Sequence, residues 1–352
     1  MSGNMSGNDT GTRAAPAAHA AGGGSAEPLA GSIEEPPMAL GARLRSLEAP
    51  WLWSFAGAVL VWLVIAGVFG FSIAGNVVAT ALVFAVFMVL VGLGQMIVIT
   101  AGPGNIDLSM PSAIALSGVL GVQLMQGQDG LIVTGIAVAL AVGVLVGVAN
   151  YLLIRVLRIP PIIATLSSSF IVQSVAITQS RGMPPPPPAL QAFANARMIG
   201  LPDVAWFALV LSVALAFVLH RTVFGRGLSA LGQNARAAWL AGVKVERVRC
   251  VTYVLSAIIA ALTGLLLAAV SGGAALDMGV EYMLISVAVV VIGGTEVAGG
   301  KGTVAGVWGA SLFLYLTNAM LNALGAGAGV RSIVYGVLII AVVVASGRRV
   351  RQ

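Results

Sequence analysis

The chain has 352 residues, of which 59% are hydrophobic and 9% charged, and a formal net charge of +6. A soluble domain carries roughly 25% charged residues, so this composition, with a mean hydropathy of +1.01, excludes a soluble globular fold and points to a chain that crosses a membrane several times. Excess Lys and Arg in such a chain report topology before anything else, which removes nucleic acid as a partner. The single cysteine, Cys250, leaves no internal disulfide, and the two distant histidines, His19 and His220, leave no histidine metal site.

Residues 1–48 are Gly, Ala, Ser and Pro with scattered charge and no apolar periodicity. They predict a disordered tail, without the apolar core of a signal peptide. A transmembrane helix takes about 20 apolar residues. On that measure the first spans run from Trp51 to Gly70, Val77 to Thr100, Leu108 to Gln126, Leu131 to Ile154 and Pro160 to Ser180. Then come the five prolines of Arg181 to Pro188, which favour an extended connector. Further spans follow over Asp203 to His220, Cys250 to Val270, Thr303 to Leu324 and Ser332 to Ser346. Between Cys250–Val270 and Thr303–Leu324 lies a short eighth segment, Tyr282 to Ile292, whose span is expected to start nearer Met278.

Ten spans place both termini on one side. Fifteen of the 18 Lys and Arg residues fall on that side, against Arg181, Arg197 and Arg331 on the other. The positive-inside bias then assigns the termini to the cytoplasm. The expected fold is an all-α polytopic membrane protein of about ten transmembrane helices. It divides into a cytoplasmic tail over 1–48, a transmembrane domain over 49–347 with a cytoplasmic loop over 221–249, and a basic C-terminus over 348–352.

That loop holds a polar island from Gly225 to Arg249, with Arg226, Arg236, Lys244, Arg247 and Arg249 against one acid, Glu246. Asn234 is placed to cap a short helix, on which Asn234, Ala237, Ala238, Ala241 and Gly242 share one face. Gly242 then serves as a stop. A face with almost no side chains lets another surface approach the backbone. Two readings stand: an ordinary cytosolic loop, and an element that another protein grips.

Chemistry is sparse elsewhere. The stretch Gly293 to Thr303 approaches a P-loop and misses it, because Thr295 stands where the first glycine belongs and Gly302 where Ser or Thr would hold Mg²⁺. Asp107, Asp129, Asp203, Asp277, Glu281 and Glu296 lie mostly at predicted span ends. A proton-driven carrier usually keeps ionisable groups in mid-span, so that class is disfavoured. No catalytic constellation assembles, which also disfavours a membrane enzyme. The break from Gly102 to Ser112, with Asn105, Asp107 and Ser109, is either a plain loop or a cavity lining. Asn150, Thr165, Ser167, Ser169, Gln173, Asn318 and Asn322 supply hydroxyls and amides within spans. These serve either a passing polar solute or helix–helix contacts. Gly143 with Gly147, and Gly302 with Gly306, read as packing pairs.

Four stretches carry a family resemblance. Val98 to Ser109 is similar to a Gly-Gly-Ile-Asp-Leu-Ser segment, and Pro160 to Leu166 to a Pro-x-Ile-x-Thr-Leu helix start. Gly225 to Val248 resembles an ATPase-engaging loop. Gly293 to Gly306 is similar to a Gly-Gly-Thr-x-x-x-Gly-Gly-x-Gly-x-x-x-Gly signature, through Gly293, Gly294, Gly299, Gly300, Gly302 and Gly306. With the spans between them, the chain from Trp51 to Ser346 resembles the inner-membrane permease subunits of bacterial ABC sugar importers of the ribose, xylose and galactoside type. It departs from them where Gly-Pro-Gly-Asn precedes Ile106, and where Met110, Pro111 and Ser112 replace Val-Gly-Ser.

The resemblance implies a multi-pass inner-membrane protein that imports a monosaccharide and is not itself an enzyme. This chain would bind no cofactor, with ATP and Mg²⁺ held by a separate cytoplasmic ABC ATPase subunit. A second permease chain, identical or paralogous, would complete the pore, and a periplasmic solute-binding protein would deliver the sugar. Coupling would run through Gly225, Gly232, Asn234, Ala237, Ala238 and Gly242, and translocation past Asn105, Asp107, Ser109, Thr165, Ser169, Gln173, Asn318 and Asn322. The alternatives are a permease for a branched-chain amino acid, an autoinducer or a nucleoside, and an ATP-independent carrier.

Overall fold

The computed structural model describes residues 51–349; the predicted tail over 1–48 and the chain end from 350 lie outside the described residues. The helices are α1 (Trp51–Phe69), α2 (Phe71–Thr100), α3 (Met110–Met125), α4 (Ile132–Arg155), α5 (Pro161–Gln179), α6 (Pro188–Asn195), α7 (Asp203–Arg221), α8 (Val223–Gln233), α9 (Ala235–Leu240), α10 (Val245–Val270), α11 (Tyr282–Ile292), α12 (Val304–Ala323) and α13 (Ala328–Arg349). Among the described residues, seven helices are long and apolar enough to cross a membrane, the fourth-span helix counted with its 3-10 lead-in. Helix α3, helix α11 and the Gly329–Leu338 stretch of α13 are apolar but shorter. The chain is therefore an all-α polytopic membrane protein.

Prolines open α5 and α6, at positions where the missing N–H has no helical partner to lose. Gly70, at φ +90, separates α1 from α2. Every residue of α2 from Ala85 to Thr100 is buried, and α10 is buried along most of its length. A helix apolar all round belongs inside a bundle, and these two form its centre, with α3, α4, α11 and α12 around them. Helix α4 lies close along α10 because Gly143 and Gly147 expose bare backbone: a Cβ there would sit 2.7 Å from Ile258 Cα and 2.5 Å from Val254 Cα. Helices α5 and α7 are peripheral and turn Phe170, Ile171, Val210 and Phe217 outward, as acyl chains require. Between α4 and α5 runs an apolar furrow of about 640 Å³, lined by Leu145, Leu152, Ile171 and Val175 among others, with almost no polar surface.

Four details differ from the sequence reading. Helix α2 starts at Phe71 and not at Val77, since the polar Ser72 and Asn76 do not interrupt it. A two-residue hairpin pairs Arg197–Met198 with Leu201–Pro202 before α7. The eighth segment starts at Tyr282 and not near Met278, because residues 276–281 are turns and Gly279 is pressed onto the Pro111 carbonyl. The island is almost wholly helical, made of α8, α9 and the first turns of α10.

Candidate functional site

Helix α3 has 16 residues, about 24 Å at 1.5 Å per residue, against roughly 30 Å of hydrocarbon. The irregular backbone between α2 and α3 therefore falls within the bundle, where such backbone must find protein partners. It does. The Asp107 carboxylate is 2% exposed. Its Oδ1 accepts from the Ser109 N–H at 2.9 Å and the Ser109 hydroxyl at 2.6 Å, and its Oδ2 from the Ser256 hydroxyl at 3.3 Å. Three donors hold the carboxyl group without a cation, and none of the ion pairs among the described residues includes it.

Neighbouring helices complete the network. Asn150 of α4, wholly buried, donates from Nδ2 to Ser109 Oγ at 2.7 Å, while its Oδ1 has no protein partner. The Gln95 amide of α2, oriented donor to acceptor, donates to the Asp107 carbonyl and accepts from the Asp107 N–H, both at 3.2 Å. Thr165 Oγ1 of α5 accepts from the Leu108 N–H at 3.0 Å and donates to the Pro161 carbonyl at 2.9 Å. Asn105 donates from Nδ2 to the Gly102 carbonyl at 3.1 Å and accepts at Oδ1 from the Tyr253 hydroxyl of α10 at 3.0 Å. Four helices thus converge on the nine residues of non-helical chain from Ala101 to Ser109.

Asn105, Asp107, Ser109 and Thr165 come together as one set. Ser169, one turn beyond Thr165 on α5, is half-buried. Gln173 lies further along and donates to the Leu276 carbonyl at 2.9 Å. Asn318, near the far end of α12, accepts from Arg331 at 3.3 Å, and Asn322 is exposed; neither joins the network. Gln95, Tyr253 and Ser256 belong to it without having stood out in the sequence, where Gln95 is one amide in an apolar run and the other two are unremarkable residues of a span.

The island meets this break directly. The Thr222 hydroxyl caps α8 by accepting from the Gly225 N–H at 3.3 Å, and Gly225 lies against the Leu219 carbonyl. At the other end of α8, Gly232 abuts the Thr100 carbonyl and the Gly300 amide. Gly299 and Gly300 take φ +93 and +91, which suits glycine alone, and a Cβ on Gly299 would sit 2.5 Å from Gly102 Cα. The Gly300 N–H donates to the Thr100 carbonyl at 2.9 Å, and the Ser229 hydroxyl donates to the Gly300 carbonyl. Gly302 lies against Thr100 and Met96, and Gly293 against Gly306, with Gly294 in the turn between α11 and the signature loop. Lys301 and Glu296 close that loop at 3.2 Å.

Asn234 caps α9, accepting at Oδ1 from the Arg236 and Ala237 N–H groups, both at 3.0 Å. Helix α9 ends in a Schellman arrangement: Val243 N–H to Ala238 O and Gly242 N–H to Trp239 O, with Gly242 at φ +82. Of the small residues read as one face, Asn234, Ala237 and Gly242 are exposed, whereas Ala238 is 4% exposed and seats the helix. Trp239 and Leu240 point outward, at 66% and 71% exposure. Glu246 anchors the start of α10 through Arg155 at 2.8 Å, Arg249 at 3.1 Å and the Tyr151 hydroxyl at 3.2 Å. Arg226, Arg236, Lys244 and Arg247 of the island are exposed. No three His, Cys, Asp or Glu side chains gather as a metal site among the described residues.

Comparison with known proteins gives these features a setting. The profile of the family described as branched-chain amino acid transport system / permease component matches residues 63–343. The chain is 30% identical over 260 residues to the ribose import permease protein RbsC of Escherichia coli K12, covering 72% of this chain and 80% of that one. It is 32% identical over 263 residues to RbsC of Bacillus subtilis, covering 71% and 78%. It is 30% identical over 305 residues to the autoinducer 2 import system permease protein LsrD of Yersinia enterocolitica, covering 83% and 91%. No solved structure matches the chain. A helical bundle of membrane-spanning length, a buried polar break and a profile match over most of the chain lead to one conclusion: the protein belongs to the family of ABC importer permease components.

Proposed function

We propose that the chain is the permease subunit of an inner-membrane importer that takes up a monosaccharide of the ribose type, energised by a separate ABC ATPase. The observation that carries the coupling is the direct seating of α8 on the break that holds Asp107. The solute class is supported by the similarity to ribose import permeases of two organisms. The ATPase docks on α9, where Trp239 and Leu240 stand among exposed cations. A second permease chain completes the pore, and a periplasmic binding protein delivers the solute. ATP and Mg²⁺ stay on the ATPase. The short apolar helices α3 and α11, together with α13, bring the spans to ten with both termini cytoplasmic. Gln173, Ser169, Asn318 and Asn322 line the route beyond the break.

The test is uptake of a labelled sugar panel by cells that carry the chain with its ATPase and binding protein. ATP-dependent uptake of a pentose or a related sugar is expected; uptake that persists after ATP depletion would sink the reading. A reporter fused to the C-terminus that is active only outside the cytoplasm should stay silent. The match to the autoinducer 2 permease, which spans more of the chain than the ribose matches, favours a second solute for the same panel.

A further inference from the structure

At Gly232 the island and the polar break approach backbone to backbone, with Gly299 and Gly300 of the signature loop beside them. Gly232 closes on the Thr100 carbonyl and the Gly300 amide, and Gly299 on Gly102. Two hydrogen bonds fasten this joint, Gly300 N–H to Thr100 O and Ser229 Oγ–H to Gly300 O. We propose that this joint transmits the displacement of α9 to the buried break, with Gly232, Gly299 and Ser229 as positioning residues for translocation. The inference rests on the ATPase-coupled reading above.

A long side chain between two moving elements absorbs small displacements by changing rotamer. Backbone in contact with backbone has no such freedom, and close-packed interiors pass strain on. Helix α8 leads into α9 through Asn234, so a push on α9 arrives at Gly232 within two residues. Gly232 bears on Thr100, the last residue of α2, and through Gly299 on Gly102. From Gly102 the contact continues to Asn105, whose amide holds the Gly102 carbonyl and receives the Tyr253 hydroxyl. Asp107, with Ser109, Asn150 and Ser256 around it, lies two residues on. Every link is a hydrogen bond or a van der Waals contact.

The whole transporter, with its ATPase and binding protein, is reconstituted in vesicles, and solute imported per ATP hydrolysed is measured beside the amount of ATPase that co-purifies. Ser229→Ala removes one hydroxyl and adds no volume. It is expected to lower solute per ATP about five-fold with ATPase binding unchanged, and Ser229→Thr, which keeps the hydroxyl, to restore it. Gly232→Ala wedges a methyl group into the joint and is expected to lower the ratio about ten-fold or more while hydrolysis continues. A wild-type ratio in Ser229→Ala overturns the inference, as does a loss of ATPase binding in proportion to the loss of uptake. If Gly232→Ala fails to accumulate, the Ser229 pair decides alone. A wild-type transporter that binds no ATPase overturns the earlier reading instead, before any variant is compared.

Discussion

Asp107 shows how a carboxyl group is held in a membrane bundle by hydrogen bonds in place of an ion pair. Its two oxygens take three donors, from the Ser109 amide, the Ser109 hydroxyl and the Ser256 hydroxyl. Asp107→Asn turns one acceptor into a donor facing donors. Uptake is expected to fall by about ten-fold, since leaving one buried group unpaired costs about 1–3 kcal/mol, whereas the amount of co-purified ATPase stays the same. Unchanged transport kinetics would exclude Asp107 from the moving part. Asn105, Asp107 and Ser109 were legible in the sequence because polar residues interrupt an apolar run there. Gln95 was not: one amide within a span says only that it bonds something. Tyr253 and Ser256 were invisible for a different reason, since the contacts they make reach across 148 and 149 residues, and no local pattern encodes such a distance.

At the scale of elements, α9 is the instructive case. The Asn234 cap and the Gly242 stop follow from residue chemistry, and both are present. Orientation does not follow from periodicity in a helix of six residues. Ala238 turned inward, and the outward side is apolar and large. An exposed Trp beside an exposed Leu, on an island that also exposes Arg236, Lys244 and Arg247, suits a partner with an apolar cleft and an acidic rim. Trp239→Ala is expected to weaken ATPase co-purification and uptake together by about ten-fold or more, as interface tryptophans do. Loss of uptake with full ATPase retention would count against docking there. Gly242→Arg forces a side chain into left-handed backbone at a cost of roughly 1–2 kcal/mol and should likewise impair uptake, with the protein still in the membrane. Ala238→Glu sets a carboxylate in the seat of α9 and should abolish uptake through the helix's position. The signature glycines were legible as a motif; the backbone contacts of Gly293 with Gly306 and of Gly299 with Gly102 were not, because the second joins segments far apart in the sequence.

For the molecule as a whole, the span pattern was the most legible feature, because the length of an apolar run is fixed by the bilayer and needs no knowledge of neighbours. Helices α1, α5, α7 and α12 begin and end close to the predicted spans. What the apolar pattern could not give is which helix is central. Helices α2 and α4 are equally apolar as sequence, both with hydropathy 2.7, yet 83% of one window is buried and 33% of the other.

The long reach of the break's contacts has a consequence for biogenesis. Helices α2 and α3 leave the ribosome long before α10, whose Tyr253 and Ser256 complete the network. At about 5–20 residues per second, the newborn hairpin waits on the order of ten seconds with Asn105 and Asp107 still lacking their hydroxyl partners from α10. It must shelter at the insertion machinery or under an insertase until α10 arrives. Chains cut after residue 240 should therefore be cleared by membrane quality-control proteases faster than chains cut after residue 275, as pulse–chase labelling would measure. Equal lifetimes would mean that the early hairpin finds shelter without α10.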